Sequence, residues 1–397
     1  MSTTLLDKIK AISKEIHEDV VHHRRHLHAN PELSFEEFKT AAFVKQQLEN
    51  LGIPYQDMAN TGVVGLITGS KPSEKVVALR ADMDALPIVE ANDVSYKSTN
   101  NGVMHACGHD AHTSSLLGTA AILNSLKSEF EGTVKLIFQP GEERLPGGAN
   151  LMIQEGVLEN PKPHVVMGQH VMPLIEAGKI GIKSGKYMAS TDEIYVTITG
   201  KGGHGAQPQQ NIDPVVIMAQ MITALQTIIS RNSDPRSPSV LSFGKVIANG
   251  ATNVIPNEVY LEGTFRTLNE KWRAEAHIKM KKLAESIAEG MGGSVDFRIE
   301  KGYPFLVNEE KLTQRVKEAA IEYLGEENVL DLDIWMAAED FAYFSQVSDA
   351  CFYRLGTGNK ERGITSSVHT PTFDIDENSL AVSTGLMAYL TLKELGN

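Results

Sequence analysis

Cysteine is scarce in this sequence, which contains only Cys107 and Cys351 among its 397 residues. Two cysteines cannot build a disulfide framework, so we expect a reducing compartment, the cytoplasm. Long apolar runs are also missing. Residues 5–20 alternate apolar and charged positions in the manner of an amphipathic helix rather than a signal peptide, and we expect no segment elsewhere to span a bilayer.

Basic residues are also fewer than acidic residues. The chain has 37 Lys and Arg residues against 50 Asp and Glu, which gives a formal net charge of -13. Binding to nucleic acid or to an anionic membrane would require clustered basic residues, and the only dense basic cluster is residues 22–28. We therefore expect neither partner, and a small molecule is the expected ligand.

The first half of the chain alternates short apolar strands with helices. The predicted strands are 75–80, 133–139 and 164–168, and the predicted helices are 38–50 and 114–126. β-Branched runs bounded by Gly, Pro and charged residues are typical of buried strands. The pattern predicts an α/β domain with a central, mostly parallel sheet flanked by helices.

From residue 192 the order of elements changes to βαββαβ, which is typical of a ferredoxin-like fold. The predicted elements are 193–199, 213–231, 239–247, 257–267, 270–290 and 294–300. A helix at 310–323, a strand at 351–355 and a helix at 377–395 then resume the first pattern. Because 397 residues exceed what one core usually supports, we predict a catalytic domain formed by 1–190 and 303–397, with 191–302 inserted into it.

Residues 104–113 concentrate the side chains that bind metals. The segment MHACGHDAHT holds three histidines, a cysteine and an aspartate within ten residues. Imidazole and thiolate are preferred ligands of zinc and related metals. Cys107 and His109 stand two apart, so an extended or turning backbone can aim both at one point. We expect this cluster in a loop that feeds a helix beginning at Ser114.

Three predicted strands end next to further metal-competent residues. Asp82 and Asp84 follow the first strand, Glu142 and Glu143 the second, and His170 the third. In open α/β sheets ligands gather outside the carboxyl ends of the strands. The four contributions together predict a metal centre, and His369 lies in a later loop.

The adjacent carboxylates Glu142 and Glu143 point in different directions and suit different tasks. One can bind metal while its neighbour takes a proton from water and returns it to a leaving amine. Taken alone, the pair would more often be an acidic surface turn. Asp82 and Asp84 fit two roles equally well, as ligands or as carboxylates that orient a ligating histidine.

Motifs spread over essentially the whole chain resemble the dinuclear metallopeptidase family of aminoacylase and carboxypeptidase G. The likeness is narrower to its amidohydrolase branch of hippurate hydrolases, indole-acetyl-amino-acid hydrolases and N-acetyl-diaminopimelate deacetylases. The motifs are RRHLHANPELSFEE (24–37), LRADMDALP (79–87), MHACGHDAHT (104–113), FQPGEE (138–143), GKGGHGAQP (200–208), ATNVIPNEVYLEGTFRT (251–267), AAEDFAYF (337–344) and HTPTFDIDE (369–377).

The resemblance implies a pair of divalent metal ions, zinc or manganese, with cobalt or nickel as alternatives. It implies Glu142 as the general acid/base, and the implied metal ligands are Cys107, His109, Glu143, His170 and His369. It also implies that the inserted domain is a lid and a dimerisation surface, so that the protein is a homodimer.

Three lid residues receive roles from the same resemblance. His204 would reach a neighbouring subunit's site and stabilise the oxyanion, while Asn253 and Arg266 would hold the substrate's carboxylate. Simpler explanations stay open: His204 as a solvated histidine of a Gly-rich loop, and Arg266 as a salt-bridge partner in the sheet. Gln209, Gln169 and Ala337 depart from the branch's usual residues, which puts the acyl-group preference in doubt.

We therefore expect a metal-dependent amidohydrolase that cleaves the amide between an acyl group and an amino acid or small peptide. One alternative is a cysteine hydrolase that uses Cys107 as nucleophile. The other is a non-catalytic small-molecule binding protein. Glu142 argues against the second alternative, because binding alone does not need a free carboxylate beside the metals.

Overall fold

The computed structural model describes residues 4–396 and contains ten α-helices in that part of the chain. The helices are α1 Leu5–Glu15, α2 His17–Ala29, α3 Phe38–Asn50, α4 His109–Ser125, α5 Gly148–Gln154, α6 Pro214–Asn232, α7 Glu270–Gly290, α8 Glu310–Leu324, α9 Ala342–Val347 and α10 Ser379–Leu395.

Sixteen strands alternate with these helices within the described residues. They are β1 Tyr55–Met58, β2 Gly62–Thr68, β3 Lys71–Asp82, β4 Glu131–Gln139, β5 Val165–Glu176, β6 Ile180–Ile182, β7 Gly185–Met188, β8 Asp192–Thr199, β9 Gly203–His204, β10 Ser239–Ile247, β11 Val254–Ile255, β12 Glu258–Thr267, β13 Ser294–Lys301, β14 Leu306–Asn308, β15 Val329–Asp331 and β16 Asp349–Gly358.

The first compact unit is built on an eight-stranded sheet with the order β1-β2-β4-β3-β5-β16-β6-β15. This unit consists of residues 4–187, Val307–Ile334 and 343–396. Its four central strands, β4, β3, β5 and β16, are parallel, and antiparallel pairs lie on either side of them. The prediction of a mostly parallel sheet flanked by helices is confirmed at the centre, where the carboxyl ends of buried strands meet at one edge.

The second unit contains a four-stranded antiparallel sheet with the order β10-β12-β8-β13. Helices α6 and α7 pack on it through buried apolar side chains that include Ile217, Met221 and Met280. The chain order β8-α6-β10-β12-α7-β13 and this strand order are those of the predicted ferredoxin-like fold. Asp213 caps α6 and Pro214 occupies its first turn, as the sequence predicts.

The second unit differs in extent from the predicted inserted domain. It runs over Met188–Leu306 and also includes Trp335–Ala342. The sequence analysis placed this second stretch in the catalytic domain, within 303–397. Backbone hydrogen bonds explain the difference, because the N–H of Ala189 bonds to the carbonyls of Trp335 and Ala337 at 3.2 and 3.0 Å. Such a long-range pairing leaves no local signal in the sequence.

Helix α6 corrects the expectation that no segment could span a bilayer. Its 19 residues are long and apolar enough to cross a membrane, judged by length and composition alone. The buried residues Ile217, Met221, Leu225 and Ile228 recur at helical spacing and belong to the core of the second unit. Packing on the sheet therefore accounts for the apolar residues on the buried face of this helix.

Candidate metal centre

The parallel register brings the predicted site residues to one edge of the large sheet. Asp82 lies at the end of β3 opposite Gln139 at the end of β4. Glu142 and Glu143 follow β4 after a Pro-Gly turn, and His170 lies on the neighbouring β5. Three strands therefore deliver carboxylates and an imidazole to the same region.

Two ligand groups share the thiol of Cys107. In one group Sγ of Cys107 lies 3.3 Å from Nε2 of His170, and His109 completes the set. In the other, Nε2 of His369 lies 3.3 Å from the same sulfur and 3.0 Å from Oε1 of Glu143. Within each group the ligand atoms lie within 4.8 Å of one another, which is the spacing that a shared cation needs.

His369 reaches this place from a loop between β16 and α10. Its N–H donates to the carbonyl of Ala106 at 2.7 Å, which fixes the loop against the Cys107 segment. Its backbone has φ of +63°, a conformation that is uncommon for a residue with a side chain. Such backbone conformations persist where the surroundings enforce them and are frequent at functional sites.

Two of the histidines have their orientation fixed through Nδ1. Nδ1 of His109 lies 3.1 Å from Oδ1 of Asp84, and Nδ1 of His170 lies 2.8 Å from the carbonyl oxygen of Val171. Both contacts leave Nε2 as the atom that faces the cluster. A carboxylate or carbonyl on one ring nitrogen is the usual way in which a protein orients a metal-binding histidine.

Asp84 has a second function that the sequence did not reveal. Its Oδ1 accepts the N–H of Glu142 at 3.0 Å and its Oδ2 accepts the N–H of Glu143 at 2.9 Å. Ser34 donates its hydroxyl to Oδ2 at 2.6 Å. Asp84 therefore holds both the ring of His109 and the backbone of the turn that carries the two glutamates.

Both ring nitrogens of His112, for which the sequence predicted no separate role, already contact protein groups. Its Nδ1 lies 2.5 Å from Oδ1 of Asp82, and its Nε2 accepts the N–H of Val171 at 2.9 Å. Arg80 donates to the other oxygen of Asp82 at 2.6 Å. Asp82, His109 and His112 lie close enough to one another to form a third ligand group. The contacts just described already occupy both oxygens of Asp82 and both ring nitrogens of His112, so these two residues support the site from behind. The helical spacing of His109 and His112 was the available signal.

The electrostatics of the cluster depend on burial and on the carboxylates around it. Burial lowers the pKa of His109, but Asp82 and Asp84 outweigh it and raise the pKa to about 10. Burial, with Glu143 and Glu142 next in size, raises the pKa of the Cys107 thiol well above its usual range. A buried thiol with a raised pKa is a poor nucleophile, which counts against the cysteine-hydrolase alternative.

The residues present fit a bound metal. Nε2 of His109 is buried and has no hydrogen-bond partner in the described part of the chain, although its environment is polar. Buried polar atoms without a partner cost free energy, and coordination of a cation would remove that cost. Thiolate, imidazole and carboxylate together are the donor set of zinc and related transition metals.

The helix start differs from the prediction. Helix α4 begins at His109 rather than Ser114, so His109 occupies its first position and Cys107 lies just before it. Gly108 lies between them with φ of +85°, and an added Cβ would lie 2.5 Å from the side chain of Val171. Glycine therefore permits the sharp turn that aims Cys107 and His109 at one point.

The three predicted lid residues all lie in the second unit. His204 in β9 pairs with Val254 in β11, next to Asn253. The imidazole is exposed, and its Nδ1 accepts the N–H of Ala206 at 3.1 Å. Arg266 lies on β12, and its guanidinium donates to the hydroxyl of Thr264. The structure thus brings His204 and Asn253 together at one small two-stranded antiparallel sheet, formed by β9 and β11.

The fold and the cluster define an α/β hydrolytic enzyme with a candidate metal centre at the edge of its sheet. The model of Peptidase family M20/M25/M40 matches residues 78–393, so the chain belongs to this family. The resemblance to the aminoacylase and carboxypeptidase family and the expected amidohydrolase class are confirmed. The cysteine-hydrolase alternative finds no support.

Individual relatives are similar to this chain over most of its length and of their own. An N-acyl-L-amino acid amidohydrolase of Geobacillus stearothermophilus is 46% identical over 303 residues, which are 76% of this chain and 81% of that protein. An N-acetylcysteine deacetylase of Bacillus subtilis is 37% identical over 96% of this chain and 97% of its own. The structure of the Bacillus subtilis YXEP protein, described as a dinuclear metal binding peptidase, has a TM-score of 0.83 at 35% identity and covers 96% of this chain and 99% of its own.

Proposed function

We propose that this protein is a dinuclear, metal-dependent amidohydrolase that cleaves the amide bond of N-acyl amino acids or small peptides. The observation that carries the proposal is the sharing of Cys107 by two ligand groups, with His109 and His170 in one and Glu143 and His369 in the other. Relatives named for dinuclear metal binding and for N-acyl amino acid hydrolysis support it.

The protein's own residues divide the work at this site. A pair of divalent cations, when bound, polarises an amide carbonyl and acidifies a water molecule. Glu142 is the general acid/base: it takes the proton of the attacking water and delivers it to the leaving amine. Its side chain is buried, and the hydrogen bond from its N–H to Asp84 fixes the backbone from which it projects.

The second unit supplies the groups that recognise the substrate. Arg266 suits a substrate carboxylate, because a guanidinium can donate two parallel hydrogen bonds to it, and Asn253 adds an amide donor. His204 donates to the developing oxyanion in a neighbouring subunit's site. The hydrogen bond from Ala206 to Nδ1 supports this role, since it places the proton of a neutral imidazole on the exposed Nε2.

The protein works as a cytoplasmic homodimer with the second unit as its dimerisation surface, and the metals are zinc or manganese. Thiolate favours zinc, whereas carboxylate and imidazole also suit manganese, cobalt and nickel. Neither nucleic acid nor a membrane is a partner, because the acidic composition offers no extended basic surface.

A screen of N-acetyl and N-benzoyl amino acids, with the metal content measured on the same sample, tests the reaction and the cofactor together. We expect turnover together with about two equivalents of metal per chain. Metal without turnover of any N-acyl amino acid or dipeptide would support the non-catalytic binding protein instead. Turnover without metal would overturn the proposed chemistry.

A mixing experiment tests the role of His204 across the dimer. The variants E142Q and H204N each lose activity alone, but a heterodimer has one site with an intact Glu142 and a His204 from its partner. Random exchange at equal concentrations restores about a quarter of the wild-type activity. Mixing two different Glu142 variants is the control, and no recovery with H204N would place the action of His204 within its own chain.

A further inference from the structure

Three consecutive backbone amides in the turn after β4 each donate to the buried carboxyl group of an acidic side chain. Asp84 accepts the N–H groups of Glu142 and Glu143, and Glu37 accepts the N–H of Gly141 at 2.7 Å. The two acceptors come from different parts of the chain: Asp84 lies two residues after the end of β3, and Glu37 is the residue before α3. The direction in which Glu142 and Glu143 project therefore depends on both.

Glu37 makes contacts with both oxygens although it is fully buried. Oε1 accepts from the N–H of Phe35 at 2.8 Å in addition to that of Gly141, and Oε2 accepts from the hydroxyl of Thr61 at 2.6 Å. These hydrogen bonds compensate the burial of a carboxyl group. They also fix the side chain, because three donors from separate segments converge on it.

Gly141 packs closely against Phe35, two residues before Glu37. Its φ is +57°, and an added Cβ would lie 2.3 Å from the ring of Phe35. The backbone of the turn can therefore approach this ring only because residue 141 has no side chain. Ser34 precedes Phe35 and Glu37 lies two residues after it, so residues 34–37 contact both the turn and Asp84.

We propose that Glu37 is a positioning residue for the acid/base turn: through the amide of Gly141 it sets the placement of Glu142 and of the metal-binding Glu143. This assigns a role to the PELSFEE part of the N-terminal motif, which the proposed function leaves unused, and it rests on that function for the identity of the turn. Glu37 acts only through the backbone and touches neither metal nor substrate.

The contacts predict which substitutions preserve this role. Glutamine in place of Glu37 keeps Oε1 as acceptor for Gly141 and Phe35, and its amide can donate to the hydroxyl of Thr61, which then acts as acceptor. Alanine removes all three hydrogen bonds. The conservative variant E37Q should therefore function where E37A does not. Glu36 is exposed and adjacent, so E36A is the matched control.

The decisive experiment challenges metal-loaded wild type, E37A, E37Q and E36A with a chromophoric chelator. We expect E37A to lose one of its two metal equivalents at a chelator concentration about 10 to 100 times lower than wild type, as for other residues that support a ligand indirectly. E37Q and E36A should match wild type. In steady-state assays kcat of E37A should fall about tenfold or more while KM stays unchanged, because the substrate contacts are intact.

Three results would overturn the proposal: E37A and E36A giving the same chelator curve and kcat, E37Q as impaired as E37A, or E37A losing thermal stability alone. If E37A does not fold, T61V replaces it, since it removes only the hydroxyl that donates to Glu37. A shift of a few-fold in its chelator curve supports the role, and an unchanged curve refutes it. The chelator curve needs no substrate, so it decides this question even if wild type hydrolyses no N-acyl amino acid.

Discussion

Asp84 and His109 are in contact at the candidate metal centre, with Oδ1 of the carboxylate 3.1 Å from Nδ1 of the imidazole. Burial would raise the pKa of Asp84, but hydrogen bonding to His109 outweighs it, so that the pKa is lowered and the group is a carboxylate. The same carboxylate holds the backbone of Glu142 and Glu143. One side chain thus links the proposed ligand His109 on α4 to the turn after β4.

Replacement of Asp84 by asparagine should weaken metal binding by about 10 to 100-fold. The amide nitrogen cannot accept a hydrogen bond, so at least one of the contacts to His109, Glu142 or Glu143 is lost. Competition with a chromophoric chelator measures the change. D57N is the control, because Asp57 lies on β1 with a side chain that is 62% exposed. Equal affinities of D84N and D57N for metal would refute the orienting role.

The two adjacent glutamates should respond differently to the same substitution. E142Q removes the proton acceptor and should lower kcat by about 10²- to 10⁴-fold without loss of metal. E143Q removes a charged ligand and should lower both metal content and activity. Metal analysis and kinetics on the same preparations test this distinction. Unchanged turnover in E142Q would show that another group moves the proton.

Chelation should separate the metal mechanism from thiol chemistry. Prolonged EDTA treatment should abolish nearly all activity, and Zn²⁺, Mn²⁺ or Co²⁺ should restore it. Alkylation should be slow for the metal-loaded enzyme, because Cys107 is buried and the thiolate would be coordinated. Activity that survives EDTA but is lost on rapid alkylation would revive the cysteine-hydrolase alternative.

Glu37 should give the protein a measurable pH dependence of stability. Burial, followed by the charge of Asp84, raises its pKa from 4.5 to about 7. The folded protein thus keeps this proton up to about pH 7, whereas the unfolded chain releases it near pH 4.5. Raising the pH across that interval should lower the free energy of unfolding of metal-free wild type, relative to E37Q, by about 3 kcal/mol. Urea unfolding at a series of pH values measures the difference, and parallel curves would contradict it.

The sequence predicted the central sheet because its strands are uninterrupted apolar runs that end in polar, metal-competent residues. It missed the first turn of α4, since His109, Asp110 and His112 are polar but buried, and the helix has no polar face to reveal its period. The sequence showed which metal-competent residues follow the strands. It did not show that two groups of these residues would share Cys107. Contacts between side chains and distant amides, such as Glu37 with Gly141, leave no periodic trace in a single sequence.

The place of β16 in the large sheet has a consequence for biosynthesis. It lies between β5 and β6, yet it is made only after all residues of the second unit have been synthesised. Until then β5 presents an unpaired edge, which can pair wrongly with other nascent chains. The chain therefore acquires His369, and with it a complete set of proposed ligands, only after the second unit and β16 have been made, so metal that arrives earlier in synthesis would find an incomplete ligand set.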